Sequence, residues 1–225
     1  SGTVPHLFAY HLANGQKRLV AKNRIRAVSW WLDASTGALA ALRPLKRGGL
    51  ELLVSQGLGQ PFRRLLKLKP TDRQIEVVGF AEQGQRLLVL RARGSGPLGL
   101  ETLDIRGAGS REVYRHSRHD VDEVLLDAVT GRVAAVQVVG QRAFWVGLEA
   151  EAGRQLQHLS GLLSGDASLA DHDGLGRYLV IKEISGERPA RFLLYERQSG
   201  ALREIMAGQE GLDGYAFGRM RPVTF

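Results

Sequence analysis

Residues Val121–Gly131, VDEVLLDAVTG, form an apolar run that ends in a glycine turn, and they decide the fold because the pattern recurs. It stands again at Ala27–Gly37 (AVSWWLDASTG), Ile75–Gly84 (IEVVGFAEQG) and Ala167–Gly176 (ASLADHDGLG). The turn glycines Gly37, Gly84, Gly131 and Gly176 are spaced by 47, 47 and 45 residues. Each is followed by a short β-type run: ALAALRPL, QRLLVLRA, RVAAVQVV and RYLVIKEI. Glycine accepts the positive φ that a tight hairpin requires, so each pair of runs reads as two antiparallel strands.

A second hairpin follows each first one. It reads LFAYHLANGQKRLVA from Leu7, LETLDIRGAGSREVY from Leu100, FWVGLEAEAGRQLQHL from Phe144 and FLLYERQSGALREIM from Phe192, with a looser copy from Leu50. The hinges are Gly15, Gly59, Gly109, Gly153 and Gly200, spaced 44, 50, 44 and 47. Two glycine ladders sharing one period give four short strands per repeat, the pattern of a β-propeller blade. The first strand of each repeat is the most apolar, as an innermost strand should be. The fourth (Gln16–Ala21, Ser110–His116, Ala201–Met206) alternates apolar with charged residues, as an outer edge should. The segment Glu149–Leu163 has helical character, but Gly153 and the repeat register favour a hairpin there.

The expected fold class is all-β, a β-propeller of four-stranded antiparallel blades. The blades span about 25–70, 74–117, 120–161 and 166–208, preceded by a partial blade at 6–23, with 1–208 the propeller and 209–225 a linker and the first strand toward a further domain. Four and a half blades is an incomplete count. The half blade is completed by tail strands at Tyr215–Phe217 and Arg221–Phe225, by a second copy pairing at an open blade edge, or by further chain, since 225 residues read as a piece of something longer.

The C-terminal residues favour the last option. RFLLYERQSGALREIMAG (Arg191–Gly208), a short polar connector and Met220–Phe225 (MRPVTF) resemble the prolyl oligopeptidase family of serine peptidases, in its dipeptidyl aminopeptidase and acylaminoacyl-peptidase branch. The resemblance covers the repeats diffusely and residues 191–225 more specifically. It implies a propeller that covers the catalytic cleft of an α/β-hydrolase domain, with peptides as substrates. It also implies that the catalytic Ser, Asp and His lie downstream of Phe225. The residues agree with that placement: none of the twelve serines has the G-x-S-x-G context of a nucleophile elbow, a near miss being Ser55 with Gly57 but Leu53. No catalytic residue, cofactor or metal ligand is therefore assigned to this chain. A free-standing peptide- or protein-binding scaffold is the alternative, and a metal-dependent propeller hydrolase a weaker one.

Composition narrows the classes. The chain is 44% hydrophobic and 24% charged, ordinary for a globular protein. It has no Cys, which removes disulfides, thiolate metal sites and a Cys nucleophile. The longest aliphatic stretches are about five residues, far from a membrane helix. No signal peptide is visible, and the compartment stays open between bacterial cytoplasm and periplasm. The net charge of +8 is the excess of 25 Arg and 6 Lys over 23 acidic residues, the basic residues being densest at Arg63, Arg64, Lys67 and Lys69 with Arg43, Lys46 and Arg47 nearby. No aromatic-interleaved patch accompanies it, so nucleic acid is not an expected partner.

Three local motifs have unremarkable explanations. GSGPLG (Gly94–Gly99) matches a dinucleotide fingerprint literally, but it precedes a strand where that fingerprint needs a helix. HSRHDVDE (His116–Glu123) is the densest set of potential metal ligands and also reads as a polar connector between blades. Asp171–Asp173 reads as turn chemistry. Trp30, Trp31 and Trp145 read mainly as packing between blades.

Overall fold

The computed structural model describes residues 6–71, 75–107, 109–209, 211, 212, 215, 217, 218 and 223. The chain divides into two compact units, 1–113 and 114–225. The expected tail strands and the RPVTF segment fall largely outside the described residues.

In the first unit, β1 (Leu7–Tyr10) and β2 (Lys17–Ala21) pair as a two-stranded hairpin. A four-stranded antiparallel sheet follows in chain order: β3 (Ser29–Leu32), β4 (Leu39–Pro44), β5 (Leu50–Ser55) and β6 (Arg63–Leu68). The next repeat builds β7 (Glu76–Ala81), β8 (Arg86–Ala92), β9 (Leu98–Asp104) and β10 (Ser110–Tyr114) in the same way. The middle strands carry continuous apolar runs because both of their faces are buried. Ala40, Leu42, Leu52, Val54 and Leu68 of one sheet share a core with Val77, Leu87, Val89 and Leu103 of the next.

In the second unit, β14 (Asp166–His172), β15 (Tyr178–Ile184), β16 (Arg191–Glu196) and β17 (Leu202–Ala207) repeat the four-stranded pattern. The sheet before it has three strands, β11 (Asp120–Leu126), β12 (Val133–Val139) and β13 (Ala143–Gly147). Its expected fourth strand is instead the helix α1 (Ala150–Leu162), which corrects the hairpin expected from Phe144. Ala152, Leu156 and Leu159 lie on one face at helical spacing, and residues 150–162 contain no β-branched side chain. That face shares a core with Leu179, Ile181, Leu193 and Tyr195 of the following sheet. The Tyr195 hydroxyl donates to the Gln155 carbonyl at 3.3 Å, and Arg197 Nε donates to Gln155 Oε1 at 2.7 Å.

The glycine ladders explain the exception. The four turn glycines have φ between +65° and +75°, and the hinges Gly15, Gly59, Gly109 and Gly200 are also at positive φ. Gly153 alone is not: it is helical, its N–H donating to Glu149 O at 2.9 Å. Its role is close approach. A Cβ on Gly147 would overlap the Gly153 backbone, so glycines let α1 cross immediately beside the end of β13.

Two of the first-to-second strand turns share a carboxylate device. Asp127 Oδ1 accepts the N–H groups of Val129 and Thr130 and the Thr130 hydroxyl at 3.2, 2.7 and 2.7 Å. Asp33 does the same for Ser35 and Thr36, with the Ser35 hydroxyl at 2.5 Å. The Thr130 bonds hold the Asp127 carboxyl below the ordinary range. Asp127→Ala is expected to cost about 1 kcal/mol, read from the urea midpoint, while Asp127→Asn retains most of the stability because its carbonyl oxygen still accepts.

Candidate functional site

The second-to-third strand hairpins carry a repeated polar pair at a separation of eight residues. In the first four-stranded sheet Arg43 Nε donates to Glu51 at 3.1 Å, and Arg64 reaches the same carboxylate at 3.3 Å. In the second, Arg93 Nε bonds Glu101 at 2.8 Å. In the last sheet the order reverses, with Arg191 Nε donating to Glu183 at 2.6 Å. The three-stranded sheet replaces the ion pair with Gln137 and Trp145, directly opposite one another, both donating to the Ala167 carbonyl. Glu51, Glu101 and Glu183 are all buried, each beneath a more exposed arginine.

Glu183 is the most enclosed of these carboxylates. Its side chain is 0% exposed and accepts the N–H groups of Ser164 and Gly165 at 2.8 and 2.9 Å, together with Arg188 at 2.7 Å. Burial alone would raise its pKa. The Arg191 bond and the two backbone donors overcome that and hold it at about 2.

The first strands hold a second set of polar groups. Pairing skips one residue in each of β7, β11 and β14, at Val78, Asp122 and Ala170. Such bulges re-aim neighbouring side chains. Glu123 follows the bulge in β11 and accepts the Leu169 N–H of β14 at 2.8 Å. Burial, with help from the Asp122 charge, pushes its carboxyl above the ordinary range despite that bond. Between α1 and the last sheet lies an open cavity of 390 Å³ lined by His158, Leu162, Arg191, Leu193, Leu202 and Glu204.

The remaining motifs resolve into local structure. Gly94–Gly99 spans the β8–β9 turn, where the Gly96 N–H donates to Arg93 O at 3.1 Å, and β9 rather than a helix follows. His116 Nδ1 accepts the N–H groups of Arg118 and His119 at 3.3 and 3.1 Å, and its ring stacks on His119 with centroids 5.0 Å apart. Asp173 accepts the Tyr178 N–H at 2.9 Å, a turn contact. Among the described residues no group of three or more His, Cys, Asp or Glu is placed to hold a metal ion. Trp31 and Trp145 pack against the two cores, and Trp30 meets Phe62 edge-on.

Nucleophilic chemistry needs a hydroxyl beside a base that can take its proton. Among the described residues, the hydroxyls of Ser35, Ser164 and Ser199 bond carboxylates, and that of Ser55 bonds backbone carbonyls. None bonds an imidazole.

No protein-family model matches the chain. It is 24% identical over 215 residues to dipeptidyl aminopeptidase BIII of Pseudoxanthomonas mexicana, a match covering 92% of this chain and 30% of that protein. A puromycin-hydrolysing peptidase of Mycobacterium tuberculosis superposes with a TM-score of 0.57 at 16% identity, over 92% of this chain and 33% of that one. TolB of Acinetobacter baumannii superposes at 0.56 with 11% identity, over 91% and 49%. The structural likenesses carry the fold alone, and the chain spans under a third of the curated relative's length.

The blades and these superpositions define an all-β chain of the β-propeller class. Within that class its sequence resembles the propeller region of prolyl oligopeptidase-family serine peptidases, through the dipeptidyl aminopeptidase that it matches.

Proposed function

We propose that this chain is the non-catalytic propeller portion of a prolyl oligopeptidase-like serine peptidase, and that it covers the active site and selects peptides by size. The observation that carries the reading is the match to a dipeptidyl aminopeptidase over nearly all of this chain but 30% of that protein. The serine bonding pattern supports it, because the hydroxyls of Ser35, Ser55, Ser164 and Ser199 bond carboxylates or backbone carbonyls and none of them bonds an imidazole. In this reading the blades form a rigid scaffold, held by the buried arginine–carboxylate pairs, and the polar groups on the first strands are the ones available to a passing peptide.

Two measurements test the proposal. A fluorophosphonate probe is expected to label the full product of the gene at one serine and to leave the 225-residue chain unlabelled; labelling of the chain itself overturns the non-catalytic assignment. The full product should cleave short chromogenic peptides while leaving a folded protein substrate intact. Equal rates on both would overturn size selection.

A further inference from the structure

The net positive charge is confined to the first unit. Residues 1–113 hold 18 of the 31 basic residues and 8 of the 23 acidic ones, whereas 114–225 hold 13 and 15. Within the first unit the basic residues gather along β6. Arg43, Glu51 and Lys67 stand directly opposite one another across β4, β5 and β6, and so share a face. Arg64 is three residues before Lys67, a separation that would place it on the other face of a regular strand. The pairing of β5 with β6 skips Leu65, and this bulge returns Arg64 to the Glu51 face, where the two make their ion pair.

The β4–β5 turn adds to the same edge. Its Gly48 and Gly49 lie against Pro70 and the Leu68 backbone, which brings the exposed Lys46 and Arg47 beside exposed Lys69. Arg43 and Arg64 bond the buried Glu51, Lys67 stands opposite it, and Lys46, Arg47 and Lys69 are exposed where the turn meets the end of β6. Among the described residues β6 also ends its sheet, bonded to β5 alone, so one row of its backbone donors and acceptors faces outward.

We propose that the β6 edge is a docking site for an acidic polypeptide segment, which adds as a fifth antiparallel strand with its carboxylates against Arg64, Lys67, Lys69, Lys46 and Arg47. Strand addition supplies main-chain hydrogen bonds, and charge complementarity chooses the partner. A second copy of this chain is disfavoured at this edge, because its own β6 would set like charges opposite one another. The inference is independent of the peptidase reading.

The test uses a fluorescein-labelled peptide of about ten residues alternating Glu and Thr, titrated with the chain at about 50 mM salt and followed by anisotropy. Saturable binding is expected. It should weaken about tenfold or more with Lys46→Glu/Lys67→Glu, with the peptide N-methylated along one edge, and with Lys in place of Glu. The two modified peptides keep the test decisive even where the double variant folds poorly. Absence of binding overturns the proposal. So does equal binding of the N-methylated peptide or of an oligothymidylate, which would show a non-specific polyanion surface, and so does concentration-dependent self-association that Lys67→Glu abolishes.

Discussion

Replacing Glu183 with alanine should cost the protein about 3 kcal/mol or more, one of the two largest single-residue effects expected here. Its carboxylate is fully enclosed and satisfies five donors: the N–H groups of Ser164 and Gly165, the Ser164 hydroxyl, and the guanidinium groups of Arg188 and Arg191. Deleting it leaves two backbone donors without their acceptor and strips Arg191 to its outer partner Glu204, at 3.1 Å. Glu183→Gln keeps the shape and one acceptor oxygen but loses the charge, so its cost should be smaller. The pH dependence separates charge from shape. With the folded-state pKa at about 2 against 4.5 for the free group, the carboxylate's contribution is complete above pH 4.5 and is lost as pH falls from there toward 2. The Gln variant should lack that part of the acid sensitivity. Urea midpoints at neutral pH and near pH 3 measure both effects. An Ala variant within about 1 kcal/mol of the parent would show that the node is not structural.

The blades were legible in the sequence because their determinants are local. A turn residue that must adopt positive φ is nearly always glycine, and eight of the nine ladder glycines do adopt it. The ninth, Gly153, has the right spacing for a different reason: it admits a neighbouring backbone, and nothing in a single residue's identity distinguishes that demand from a turn. The better signal lay in Ala152, Leu156, Leu159 and Leu163, whose spacing of four, three and four is helical. The polar pairs are also a regularity of the sequence. Arg43/Glu51, Arg93/Glu101, Gln137/Trp145 and Glu183/Arg191 all stand eight residues apart across a turn. Two acidic residues inside otherwise apolar strands, Glu51 and Glu101, are the visible anomaly, since a carboxylate so placed needs a partner. The Glu123–Leu169 bond was not legible, because it joins positions 46 apart that only the stacking of successive repeats brings together.

The close crossing of β13 and α1 leads to a pair of substitutions with opposite signs. Gly147→Val should destabilise by about 3 kcal/mol or more, because its Cβ would meet the Gly153 Cα and N, backbone atoms that cannot rotate away. Relief requires α1 to shift, and that pulls Ala152, Leu156 and Leu159 out of the core they share with Leu179, Ile181, Leu193 and Tyr195. Gly153→Ala meets the same junction from the other side with a different result. Its new Cβ would lie 3.7 Å from the Gly147 Cα, an ordinary van der Waals contact, while alanine removes the conformational cost of a glycine inside a helix. A gain of about 0.5–1 kcal/mol is expected. Thermal melts of the two variants, with helical circular dichroism as a second readout, decide the point. If position 153 were instead a strand-to-strand hinge held at positive φ, the order would reverse: Gly153→Ala would be the damaging change and Gly147→Val the mild one. The sign of the Gly153 effect alone therefore distinguishes a helix from a fourth strand in this blade.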